Sequence, residues 1–128
     1  MAILSDVMRT EFITVAPEDT LGEVAEKMTA LNVGSVIVKD FGTLIGILTE
    51  RDLLKAMAAR VHSSEARVRQ FMTEDPVVAA PEMDCEEAAQ LMLDRGFRHL
   101  PIVEGTDVLG VVSLRRVVAA TKTAAASS

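Results

Sequence analysis

The chain has no tryptophan and no tyrosine, and only four phenylalanines among 128 residues. It offers few platforms for stacking bases, and its net charge of −6 gives no overall basic field for a phosphate backbone. Direct contact with nucleic acid is therefore disfavoured. A single cysteine, Cys85, excludes an internal disulfide and suits a reducing cytoplasm. No apolar run approaches the ~20 residues that a membrane span requires. The opening "MAILSDVMRT" carries acid early and has no basic region ahead of a signal core. The expectation is a cytoplasmic protein without a membrane anchor. His62 and His99 have no Cys or acidic partner at ligand spacing, so no metal site is expected. No P-loop, HExxH or Ser-His-Asp set appears, so no catalytic residues are assigned.

What is present is aliphatic. Hydrophobic residues make up 49% of the chain, seven of them methionine, so the core is built from Val, Ile, Leu, Ala and Met. They recur in a pattern. Sliding the sequence by sixty-four positions pairs Met8 with Met72, Ala16-Pro17-Glu18 with Ala80-Pro81-Glu82, and Gly46 with Gly110. Residues 7–57 align on 71–121 without a gap and with ten identities, where composition alone yields roughly four. The chain is a duplication, divided here as residues 1–62 and 63–128, with a flexible tail expected from about residue 122.

Each copy reads as β-α-β-β-α. A short strand, "FITVAP" or "PVVAAP", ends at proline. A helix follows from about Thr20 to Leu31, or from Asp84 to Arg95. Thr20 with Glu23, and Asp84 with Glu87, have the spacing of a capping box or its Asp-capped analogue. Two nearly continuous apolar strands come next, "SVIVK" and "TLIGIL", or "HLPIV" and "VLGVV", split by turns carrying Gly42 or Gly105. The second helix begins after Thr49 or Ser113. One such copy buries too little surface to stand alone, so the two are expected to pack through their sheets with pseudo-twofold symmetry.

The pair "GILTERDLL" and "GVVSLRRVV", with the frame around it, resembles a tandem pair of CBS domains (the cystathionine β-synthase type), a Bateman module. The resemblance runs from about Leu4 to Ala120. It implies a fold of two CBS repeats and a regulatory module, not an enzyme. In such modules the cleft between the copies binds an adenosine-type ligand: AMP, ADP or ATP, or in other members S-adenosylmethionine or NAD. It also implies a homodimer and a downstream protein that reads the ligand state. The competing reading is a structural dimerisation module with degenerate pockets.

Thr49 and Asp52 are the strongest candidates for a site. A Thr-x-x-Asp at a helix start is first of all a cap. A carboxylate also accepts from ribose hydroxyls, as it does in dinucleotide-binding folds, and the Thr hydroxyl meets a ribose or phosphate oxygen. Arg116 stands at the position equivalent to Asp52, and a guanidinium has no acceptor. Two equivalent pockets are therefore not expected. The resemblance instead assigns Arg98, His99 and Arg115 of the second copy to the phosphates of the first copy's ligand, a role that arginine's planar fork suits. Ile13, Thr14, Val15, Val36, Ile47 and Pro101 are the candidate lining for the base; the first five, taken singly, read first as plain core, and Pro101 either closes the slot or ends an edge. Cys85 opens a helix but has no second thiol, and is read as a small buried residue.

Overall fold

The computed structural model describes residues 2–127 and is mixed α/β, with the helices and the hairpin strands of the first repeat recurring sixty-four positions later. The elements are α1 (Leu4–Val7), β1 (Thr14–Val15), α2 (Leu21–Leu31), β2 (Ser35–Asp40), β3 (Thr43–Thr49) and α3 (Glu50–Ala58). They are followed by α4 (Val68–Phe71), β4 (Thr73–Glu74), α5 (Cys85–Arg95), β5 (His99–Glu104), β6 (Asp107–Ser113) and α6 (Leu114–Ser127). The "KTAAA" stretch, where a flexible tail was expected, continues the backbone of α6. Ser128 lies outside the described residues.

Local chemistry accounts for the element boundaries. Thr20 caps α2: its hydroxyl oxygen accepts from the Glu23 N–H at 3.2 Å, and its O–H donates to the Glu23 carboxylate at 2.8 Å. Asp84 caps α5 one residue earlier, accepting from the Glu86 N–H at 3.4 Å. Asn32 and Gly96 end these helices in left-handed backbone. The hairpin β2–β3 turns on Phe41 and Gly42, both at positive φ, the two-residue turn whose twist suits antiparallel strands. Phe41 is fully exposed there, and its counterpart in the β5–β6 hairpin is Gly105.

The packed units are cut differently from the sequence repeats. Phe12–Pro76 forms one, and residues from Val77 onward form the other together with the chain up to Glu11. The sequence reading divides the chain at 62/63; the packing divides it at 11/12 and 76/77. The reason lies in which strand edge each leader segment pairs with. In the Phe12–Pro76 unit the sheet order is β1-β2-β3-β4, with β1 parallel to β2 and the other pairs antiparallel. Here β4, the start of the second repeat, pairs with β3 of the first at Gly46↔Glu74 and Ile47↔Thr73. The other unit mirrors this: Arg9, from the start of the first repeat, bridges Val111 on β6 of the second.

The glycine shared by the two repeats now has a cause. A Cβ on Gly46 would sit 2.8 Å from Met72 Sδ and 2.9 Å from the Thr73 carbonyl oxygen. One on Gly110 would sit 2.7 Å from the Arg9 carbonyl oxygen and 3.0 Å from Met8 Sδ. The incoming leader needs a position with no side chain. The "PVVAAP" segment contributes only an isolated parallel bridge, Ala79↔Ile102, where β1 forms a short strand.

Each unit has its own core. Val15, Leu21, Val24, Met28, Val36, Val38 and Leu48 pack in the first, joined by Val68 from α4. Leu4 from α1 packs with Cys85, Ala88, Met92, Leu100, Ile102, Val112 and Val117 in the second. Cys85 is thus a buried core residue. Burial pushes its thiol above the ordinary value, and the carboxylates of Asp84 and Asp6 push it further the same way. The native thiol should not react with Ellman's reagent at neutral pH, and should do so on unfolding. A raised thiol favours the folded state while both states stay protonated. That contribution is therefore complete below the thiol's ordinary range and falls as pH rises through and beyond it. A denaturant midpoint that climbed over this alkaline range would contradict the assignment.

Candidate ligand site at the start of helix α3

Strand β3 delivers Thr49 to the first turn of α3, where it is the N-cap. The Asp52 carboxylate folds back on it. Asp52 Oδ2 accepts from the Thr49 N–H at 2.9 Å and from the Thr49 hydroxyl at 3.1 Å, and the Asp52 N–H reaches the Thr49 hydroxyl oxygen at 3.4 Å. Thr49 and Asp52 form a complete capping box, so the bland reading of this motif holds as a fact of local structure.

A cap does not account for the burial. Asp52 is only 7% exposed, and it is the one buried charged residue among the described residues. Lone carboxylates are rarely buried without a role or a partner. Both of its bonds to Thr49 converge on Oδ2, and Oδ1 has no hydrogen-bond partner among the described residues. No fully enclosed side-chain oxygen there lacks a partner, so Oδ1 keeps an opening to the outside. The arrangement is a fixed, oriented carboxylate with one acceptor oxygen uncommitted.

The register places the other candidates. Thr14 lies beside Ile37, Ile37 opposite Ile47, and Ser35 opposite Thr49, so these residues share one face of the sheet. Thr14 is exposed, while Ser35, Ile37 and Ile47 are buried but outside the unit's core cluster. Ile13, Val15 and Val36 belong to that core. Of the residues proposed for the base, Thr14 and Ile47 stand on the Thr49 face, whereas Val15 and Val36 point the other way. Ser35 and Ile37 join the face and were not anticipated. Alternation counted out from the Phe41–Gly42 turn would have placed them on the wrong face, because a bulge at Val38/Lys39 shifts the pairing by one residue.

In the second unit, His99 lies opposite Ser113 and Pro101 opposite Val111, so His99 and Pro101 share a face of the β5–β6 hairpin. Arg98 and Arg115 are exposed, and His99 is half-buried. The Arg98 carbonyl accepts from the Leu114 N–H at 2.8 Å, which seats Arg98 at the entry to α6. Ser113 caps α6 weakly, accepting from the Arg116 N–H at 3.3 Å, and the Arg116 side chain is exposed. The buried, oriented acceptor of the first repeat has no counterpart here.

Comparison with known proteins agrees with this architecture. The model of the CBS domain family matches twice, over residues 4–59 and 68–122. A CBS domain-containing protein, YhcV, of Bacillus subtilis is 36% identical over 114 residues, which cover 89% of this chain and 81% of the relative. The crystal structure of a CBS-domain protein from Agrobacterium tumefaciens is 31% identical, with a TM-score of 0.86 over 94% of this chain and 99% of that one. A CBS domain pair solved with 5′-methylthioadenosine and S-adenosyl-L-methionine shares the fold at 21% identity, with a TM-score of 0.84 over 96% of this chain and 98% of that one.

Proposed function

Because the chain belongs to the CBS-domain family and carries two of its repeats, we propose that it is a regulatory module for an adenosine-type nucleotide (AMP, ADP or ATP) and not a catalyst. The observation that carries this reading is Asp52: a buried carboxylate, held by Thr49, with one oxygen left to accept from a ligand. A ribose hydroxyl supplies the donor that Oδ1 lacks. Thr14 and Ile47 on the same sheet face are assigned to the base, with Ile37 buried behind them and backbone polar groups of the 13–15 segment at the edge. Arg98, His99 and Arg115 of the second repeat are assigned to the phosphates, as the family resemblance implies. One favoured site per chain follows, since Arg116 replaces the acceptor in the other repeat.

The reading includes a homodimer and a cytoplasmic location. Leu54 and Met57 on α3, and Val61 just beyond it, are exposed at helical spacing, a stripe suited to burial against a second subunit. No helix among the described residues is long and apolar enough to cross a membrane. A downstream protein would read the ligand state through whatever the ligand binds more tightly in one conformation than in another.

A thermal-shift panel with AMP, ADP, ATP, NAD and S-adenosylmethionine tests this directly. A ligand present at about a hundred times its Kd stabilises the native state by about 2.7 kcal/mol. A melting temperature rising with an adenine nucleotide, and less with the other two, is the expected result. A panel with no shift would favour the structural dimerisation module, and a shift with S-adenosylmethionine or NAD alone would redirect the ligand assignment.

A further inference from the structure

The segment before Phe12 is attached where its place in the chain least suggests. It completes the unit that begins at Val77, although the whole Phe12–Pro76 unit lies between them in sequence. The attachment is specific. The Leu4 N–H donates to the Met83 carbonyl at 2.9 Å, the Ser5 N–H to the Pro81 carbonyl at 3.0 Å, and the Cys85 N–H to the Ala2 carbonyl at 2.9 Å. Arg9 and Val111 exchange both backbone bonds, at 2.9 and 3.0 Å. Leu4 is completely buried among Cys85, Ala88 and Met92. Without this leader the groove would present free carbonyls, an unpaired edge on β6 and a leucine-sized hole, each of which costs stability. The groove must be filled.

The hinge that leads the segment back is short. Arg9 makes the last bond to this unit, and Ile13 already accepts from the Ile37 N–H in the other, at 2.8 Å. Only residues 10–12 lie between, a reach of roughly 14 Å from Arg9 to Ile13 at full extension. Short hinges invite exchange of the attached element between copies.

We propose that residues 2–11 are exchangeable: the groove on the Val77-onward unit also accepts the leader of a second copy of this chain, giving an exchanged dimer. The occupant is set by the groove itself, because every bond described above is made by the chain's own residues and is available unchanged from another copy. Within one chain, the tethered leader competes at an effective concentration on the order of millimolar. The self-filled form therefore prevails in dilute solution, and exchange requires release of the leader at high protein concentration.

The test traps the pairing covalently, with Cys85→Ala as background. Arg9 and Val111 are a hydrogen-bonded antiparallel pair, whose typical Cα separation of about 5.5 Å lies within disulfide range. A chain carrying both Arg9→Cys and Val111→Cys should close an internal bridge on mild oxidation. Chains carrying Arg9→Cys alone and Val111→Cys alone, of distinguishable mass, are then mixed, refolded together at high concentration and oxidised. The expected product is a covalent heterodimer whose yield rises with concentration and increases several-fold when Thr10 and Glu11 are deleted. A control mixture of Arg9→Cys with Leu93→Cys chains measures random bridging. The proposal is overturned if the doubly substituted chain does not close, or if the heterodimer stays at the control level.

Discussion

Replacing Asp52 with alanine is expected to weaken binding of the adenine nucleotide by about ten- to a hundredfold, whereas Arg116→Ala changes it by no more than about threefold. The first figure follows from losing one charge-assisted hydrogen bond, on the order of 1.5–3 kcal/mol. The asymmetry follows from geometry. Asp52 is buried, and its Oδ2 is held by two bonds from Thr49, so Oδ1 is presented in one place. Arg116 is exposed at the equivalent position and has no acceptor to offer. Thr49→Val should reproduce part of the Asp52 loss by removing the hydroxyl that orients the carboxylate, while Thr49→Ser should keep most of the affinity. Isothermal titration of the three variants beside Arg116→Ala makes the comparison. Similar losses for Asp52→Ala and Arg116→Ala would end the case for a single polarised site.

The second large effect is on stability. Gly110→Ala should destabilise the protein by about 1–3 kcal/mol, the usual range for forcing an extra methyl into packed surroundings. The melting temperature should fall by about 5–15 °C. The new Cβ would lie 2.7 Å from the Arg9 carbonyl oxygen, and that carbonyl is held in place by the Val111 N–H at 3.0 Å. Met8, at 3.0–3.1 Å, is flexible enough to move aside; the backbone is not. Trimming the side chain with Met8→Ala should therefore not restore the stability of Gly110→Ala. Full rescue would show that the methionine, and not the strand, explains the glycine.

Much of the architecture was legible because local chemistry and tertiary packing agreed. Thr20-x-x-Glu23 announced α2 within one residue, since a capping box needs nothing beyond its own turn. Asp84 did the same for α5, and the apolar runs flanking Gly42 and Gly105 gave both hairpins. Two things were hidden, for different reasons. The strands are buried on both faces, so "SVIVK" and "TLIGIL" show no alternation to say which side chains meet Thr49. Ile47 and Val36 looked equivalent, yet they stand on opposite faces. The pairing of the leaders was also invisible. Met8 and Met72 occupy matching places in the repeat, and one apolar pattern suits packing on either copy.

Asp52 was legible as chemistry but not as environment. A carboxylate three residues after a threonine at a helix start is ordinarily a solvated cap, and nothing in the neighbouring residues distinguishes it. Its 7% exposure is a tertiary fact, set by where β3 delivers the helix.

The crossed leaders also bear on how this chain can be dissected. A fragment cut at the repeat boundary would carry an N-terminal segment whose receiving groove has been discarded, and would lack the strand that covers its own β3 edge. Residues 1–62 expressed alone would expose that edge, the empty side of Gly46 and the surface vacated by Val68. The natural scissors marks are at 11/12 and 76/77: Phe12–Pro76 keeps every strand of its sheet in one continuous piece. Conversely, a chain nicked in the 59–66 connection would leave two pieces, each holding the element the other is missing. They would recognise one another as partners.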